Sequence, residues 1–174
     1  MTIKHPTAST FIFSEHDDGW KLGLILHPLF GKLMIPGGHV EQDETAPDAA
    51  RREVAEEAGL AVSYIPALAT PAPDAVIATR KLVSPPWWIL EQPVDRDNHV
   101  GEPHFHIDHL YVAVAMVAEP LRHPAHPFSW HAEADLAGLN MFDDTRDLAV
   151  TLFADIAQLA VSAEIPGLGP EGAH

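Results

Sequence analysis

Cysteine is absent from the 174-residue chain. That excludes disulfides, a thiol nucleophile and cysteine-ligated zinc, and it suits a cytoplasmic setting. Basic residues are scarce as well: 10 Lys and Arg stand against 25 Asp and Glu, a formal net charge of −15. Gripping a long nucleic acid calls for clustered Lys and Arg, so no nucleic-acid polymer is expected as a partner. A small phosphorylated substrate stays open, provided that a bound cation offsets the repulsion. Long apolar runs are missing too. The longest, "LYVAVAMVA" (Leu110–Ala118), is too short to cross a bilayer and reads as a buried strand. The opening "MTIKHPTAST" lacks the apolar centre of a signal peptide. No membrane association and no internal repeat are expected.

What the chain does contain is ordinary for a globular protein, 47% hydrophobic and 20% charged. Its length fits one domain with a sizeable core, expected over residues 1–165, with 166–174 as a flexible tail. "STFIFS" and "KLGLILHP" flank the turn-rich "EHDDGW" and read as a hairpin over residues 9–28. "KLMIPGGHVE" adds a short strand ending at Pro36-Gly37-Gly38. A helix follows, with Thr45 as N-cap, Asp48 at capping-box spacing and Gly59 as the stop. Residues 61–103 carry β-like pieces ("AVSYIPAL", "DAVIATRKLV", "WWIL") broken by prolines. "HFHIDHLYVAVAMVAE" is the central strand, and "DTRDLAVTLFADIAQLAVSA" has helical apolar spacing. The order β-β-β-α-β-β-α implies an α/β sandwich with a mixed sheet between helices.

The first helix poses an energetic problem. At 100° per residue from Ala46, Glu53 falls at about 340°, Glu57 at about 20° and Glu56 at about 280°. The three carboxylates share an arc with Ala46, Ala49 and Ala50 rather than the face most open to water. Glu53 repels Glu57 at i, i+4 and Glu56 at i, i+3, each at a cost of about 0.2–0.5 kcal/mol. Glu56 and Glu57 also face the negative end of the helix dipole, adding about 0.3–1 kcal/mol apiece. A hard divalent cation reverses the sign of all these terms, since Mg²⁺ or Mn²⁺ spans carboxylates and phosphate oxygens. The competing reading is a solvated face in which Arg51 and Arg52 neutralise the glutamates.

The spacing of Gly38, Glu44, Arg52-Glu53-Val54, Glu56-Glu57 and Gly59-Leu60 matches the Nudix box at every fixed position. The chain therefore resembles the Nudix hydrolases, and its order of elements is similar to that family's αβα sandwich with a loop-helix-loop catalytic motif. The resemblance implies that Glu53 and Glu57 are the principal ligands of Mg²⁺ (or Mn²⁺). Glu56 would be a further ligand or a proton acceptor, and Arg52 would orient a glutamate by a charge-assisted hydrogen bond. Gly38 and Gly59 would permit the turns at either end of the motif, Glu44 would be structural, and the Gly37 carbonyl would be an extra ligand. The implied reaction is hydrolysis of a diphosphate linkage in a nucleoside diphosphate linked to some group X. Nucleoside triphosphate pyrophosphohydrolysis and a non-catalytic nucleotide sensor on the same fold are the alternatives. Isopentenyl diphosphate isomerisation is disfavoured because its familiar form uses a cysteine. Many similar proteins are dimers, so a homodimer stays open.

Outside the box, "PHFHIDH" places His104, His106 and Asp108 on one strand face. They suit a cleft lining, a substrate contact or a transition-metal site. Asp108 before "LYVAVA", together with "PGGHVE", is similar to an uncharacterised Nudix branch. His39 is a candidate phosphate contact, against a plain loop histidine. At most one of Trp87 and Trp88 can stack on a base while the other packs inward, which makes Trp88 a weak substrate candidate. Glu102, Glu133 and Asp135 compete as a remote base, and Trp130 reads as structural.

Overall fold

A computed structural model describes residues 3–67, 73–97 and 99–163 of the chain. The chain opens with strand β1 (Lys4–His16), then β2 (Gly19–His27), β3 (Lys32–Met34) and β4 (Gly37–His39). Helix α1 (Ala46–Glu53) follows, and then β5 (Val62–Tyr64), α2 (Asp74–Ile77), β6 (Trp88–Val94), β7 (His104–Ala115) and β8 (Phe128–Ala132). Helices α3 (Asp143–Phe153) and α4 (Ile156–Leu159) and a 3₁₀ turn at Ala160–Ser162 close the described part.

All eight strands form one sheet in the order β3-β2-β1-β7-β5, with β4 on β1, β6 on β7 and β8 on β2. The central pair, β1 with β7, is parallel from Lys4↔Phe105 to Phe13↔Val114, and its neighbours are antiparallel. The expected mixed sheet is present. The first strand starts at Lys4, earlier than the hairpin expectation, because its leading half pairs with β7 and β4 rather than with β2.

Alternation along β1 supplies two cores. Phe11 and Phe13 join Leu22, Leu24, Leu110, Val112, Leu152 and Ile156 on the α3 face. Ala8 and Ile12 join Ala49, Ala50, Val54, Leu60 and Tyr111 on the α1 face. The small Ala49 and Ala50, both fully buried, let α1 lie close on β1.

Three expectations change. "DAVIATRKLV" holds the short helix α2 instead of a strand. The single strand expected in "KLMIPGGHVE" is split at Ile35-Pro36 into β3 and β4, since proline brings no N–H to a ladder. The terminal helix is broken after Phe153, where Asp155 leaves helical geometry at ψ 2°. The tail expected at 166–174 lies outside the described residues. Among the described residues no helix is long and apolar enough to cross a membrane.

Candidate active site

Strand β4 is the floor against which α1 sets its carboxylates. A side chain on Gly37 would collide with the Ser9 hydroxyl and the Ala8 backbone, and one on Gly38 would take the place of the Glu53 carboxylate. The double glycine is therefore a close-approach requirement, which for Gly38 brings Glu53 against the backbone.

Helix α1 begins as expected. The Thr45 backbone N–H (3.4 Å) and hydroxyl (2.5 Å) donate to the Asp48 carboxylate, and the Tyr64 hydroxyl donates to the Pro47 carbonyl at 2.8 Å. At its other end Arg52 ties the motif together. Its Nη2 and Nε donate to the two oxygens of Glu44 at 2.7 and 3.1 Å. Nη1 donates to Glu53 Oε1 at 2.7 Å, and Nη2 also reaches the His39 carbonyl at 3.1 Å. The guanidinium holds the Glu44 carboxyl below its ordinary range. Burial pushes the Glu53 carboxyl up even though Arg52 opposes the shift.

The helix then widens. Val54–Ala58 form a π-helical turn, and Gly59 stops it with a left-handed φ of 70°. π-turns frequently occur at functional sites. This one departs from the 100° steps assumed for the sequence, and it separates the glutamates. Glu57 is 9% exposed, whereas the Glu56 side chain is 53% exposed and is bound only weakly, by Arg52 Nη1 at 3.4 Å. The carbonyls orphaned at the helix end are satisfied by the proline- and histidine-rich loop. Ala125 N–H donates to Glu56 O (2.9 Å), His126 N–H to Glu57 O (3.3 Å) and Leu121 N–H to Gly59 O (2.8 Å).

Glu57 Oε2 accepts the Gly37 N–H at 3.0 Å, and His126 Nε2 lies 3.2 Å from Oε1. Burial drives the Glu57 carboxyl up to about 7 against the pull of that N–H, with Glu53 and Glu56 adding repulsion. Glu53 and Glu57 thus converge on adjacent glycines of one strand; Glu53 shares the Arg52 guanidinium with Glu44 and Glu56, and Glu57 has only His126 beside it. His126 escaped the sequence reading because a loop with no periodicity carries it there.

The remaining expected residues are placed as follows. Trp88 is half-buried, its ring packed edge-on against Phe11, while Trp87 Nε1 donates to the Ile65 carbonyl. Trp130 Nε1 donates to the Ala118 carbonyl. Asp135 accepts the Ala132 N–H in the 3₁₀ turn Glu133–Gly138 and is exposed. His104, His106 and Asp108 do not act as one set. Asp108 is buried and accepts Thr7 Oγ1 (2.9 Å) and Ser9 Oγ (3.0 and 3.1 Å), bonds that oppose the rise burial forces on its pKa. The histidines turn instead to Asp97 and His39. Asp97 was missed, although an Asp whose side chain accepts the His99 and Val100 N–H groups is a turn signal readable in "DRDNHV".

Glycine-backed carboxylates, an arginine brace and a glycine-stopped helix define a class. The sequence profile of the NUDIX domain matches residues 4–137, and the chain belongs to the Nudix family. Similar solved structures include a NUDIX-family hydrolase from Clostridium perfringens, 24% identical, spanning 87% of this chain and 97% of that one at TM-score 0.66. The C. elegans Ap4A hydrolase in a binary complex is 16% identical over 88% and 98%, at TM-score 0.56. The NUDIX domain of Shewanella oneidensis NrtR, complexed with ADP ribose, is 19% identical over 90% of each chain, at TM-score 0.52. Comparison with curated proteins gives no match.

Proposed function

We propose that Glu53 and Glu57 hold a divalent cation, Mg²⁺ or Mn²⁺, and that the protein hydrolyses a diphosphate linkage in a small nucleoside diphosphate-X substrate. The observation that carries this reading is the Glu57 carboxylate, buried beside Glu53 with one backbone N–H and one histidine as partners. A buried carboxylate without an arginine or lysine partner, beside one that shares Arg52 with two other glutamates, fits a hard cation with oxygen ligands. The ion supplies Lewis-acid polarisation of a phosphoryl group and neutralises the charge that develops on it.

The chain's own residues do the rest. Arg52 fixes the rotamer of Glu53 and is itself fixed by Glu44, so the oxygens are placed before substrate arrives. Glu56, the exposed member, is free to swing towards the site as a further ligand or as acceptor of a proton from the attacking water. His126 holds Glu57 Oε1 and leaves Oε2 on Gly37. The C. elegans relative is named an Ap4A hydrolase and the Shewanella NUDIX domain is complexed with ADP ribose, so Ap4A and ADP ribose are the compounds to try first.

The test is phosphate or mononucleotide release from a panel of dinucleotides, nucleotide sugars and nucleoside triphosphates with Mg²⁺ or Mn²⁺. Turnover of a diphosphate-linked compound that falls at least about 100-fold in Glu57→Gln is expected. Preference for triphosphates would move the assignment to pyrophosphohydrolysis, and binding without turnover across the panel would end the catalytic reading.

A further inference from the structure

Register along β1 and β4 divides the two sides of the sheet. Gly38 lies opposite Ala8 on the α1 face, where Glu53 is, while Gly37 and His39 lie opposite Ser9 and Thr7 on the other. On that second face His39, Asp97 and His106 bring one ligand atom each to within 4.8 Å of one another. His104, two residues before His106, adds an Nε2 that lies 3.1 Å from Asp97 Oδ2 and from His106 Nε2.

Four separations fall in the range that ligands of one ion would show. Around Asp97 Oδ2 stand His106 Nε2 at 2.9 Å, His104 Nε2 at 3.1 Å and His39 Nε2 at 3.3 Å, with 3.1 Å between the Nε2 atoms of His104 and His106. Ligands bound at about 2.0–2.1 Å are separated by roughly 2.9 Å in an octahedron and 3.3–3.4 Å in a tetrahedron.

Hydrogen bonding alone does not account for the arrangement. A carboxylate oxygen has about two lone pairs, and here three ring nitrogens crowd one oxygen. His104 Nδ1 is 2.8 Å from the Glu102 carbonyl, which only accepts, so Nδ1 carries the proton. The His104 Nε2 faces Asp97 Oδ2 and His106 Nε2, each at 3.1 Å. His39 Nε2 is buried without a hydrogen-bond partner. A shared cation would satisfy all four groups. The Glu102 contact is also the outer bond that orients a metal-bound imidazole.

We infer that His39, His104, His106 and Asp97 form a second metal site, separate from the Glu53/Glu57 pair, that takes Zn²⁺. Three imidazoles and one carboxylate select a transition ion over magnesium. The His104 side chain is fully buried and the others are 14–18% exposed, so the site is closed, as structural zinc sites are. Zinc here would pin Asp97, beyond the end of β6, to β4 and β7, and so brace the strand that carries Gly37 and Gly38.

The inference does not rest on the diphosphate reading, and its test separates the two. Full-length protein is stripped with EDTA, gel-filtered and given Zn²⁺, or Co²⁺ as the visible probe. Bound metal, the Co²⁺ absorption spectrum and the Tm are then read. One equivalent should stay bound, with d–d bands of a nitrogen-rich four-coordinate site and a Tm rise of about 5–10 °C at 100-fold excess over Kd. Asp97→Asn and His106→Ala should each lose the bands and the Tm rise, while a Glu53→Gln, Glu57→Gln double variant keeps both. Less than one equivalent in the wild type would overturn the site, as would binding that survives Asp97→Asn but is lost in the glutamate variant. If the histidine and aspartate variants fail to fold, zinc-edge absorption of the wild type decides. Three imidazole nitrogens support the site, and an all-oxygen shell refutes it.

Discussion

Arg52 makes five contacts that no shorter or less branched cation can reproduce together: both oxygens of Glu44, one oxygen each of Glu53 and Glu56, and the His39 carbonyl. Lysine offers one ammonium in place of that planar fork. Arg52→Lys should therefore release Glu53 while keeping the charge, and we expect Mg²⁺ or Mn²⁺ affinity, or turnover, to fall about 10–100-fold. Metal titration followed by assay checks this, with circular dichroism confirming the fold; unchanged affinity and turnover would refute the brace. At this scale the sequence was informative where one continuous stretch carries the whole constellation. Glu44, Arg52, Glu53 and Gly38 meet one another because a loop and two helical turns bring them together. His126 and Asp97 arrive from distant loops, where no period links residue type to position, so neither could be found by spacing.

At the scale of elements, the end of α1 matters most. A π-helical turn rotates Glu57 inward, Gly59 reverses the chain at φ 70°, and the loop around Leu121–His126 seals the exposed carbonyls. A side chain at Gly59 would meet the Arg122 carbonyl as well as the left-handed backbone penalty. Left-handed geometry alone costs a non-glycine residue roughly 1–2 kcal/mol. Gly59→Ala should thus lower stability by at least about 2 kcal/mol in urea unfolding. Gly31→Ala, at φ 60° with nothing within 4 Å, isolates the backbone penalty for comparison. Equal losses at the two positions would show that the Arg122 contact carries nothing. Helix α1 was legible because its cap, small buried face and glycine stop are local signals. The π-turn was not, because it is imposed by the loop packed against it, and the parallel pairing of β1 with β7 joins segments about a hundred residues apart.

At the scale of the whole molecule, a net charge of −15 means that burying another carboxylate is unfavourable unless protons or cations accompany it. The continuous apolar run "LYVAVAMVA" and the order of elements made a sheet buried between helices readable in advance, whereas the proline-broken stretch before β6 gave misleading β-like runs. The buried pair near Gly37 ties stability to pH and to metal. In metal-free protein the folded Glu57 carboxyl holds its proton up to about 7, above its ordinary 4.5. Its contribution is therefore fully present below about pH 4.5 and is lost as pH rises through about 7. Glu44 and Asp48 shift the opposite way, losing stability as pH falls, but they are common to wild type and a Glu57→Gln variant. The difference between those two proteins isolates Glu57. In EDTA, the wild type should lose on the order of 3 kcal/mol relative to Glu57→Gln between pH 4.5 and pH 8. Saturating Mg²⁺ or Mn²⁺ at pH 8 should restore the wild type and leave the variant nearly unmoved. Urea unfolding of both proteins at the two pH values measures it, and a difference that stays flat with pH and metal would remove Glu57 from the cation site.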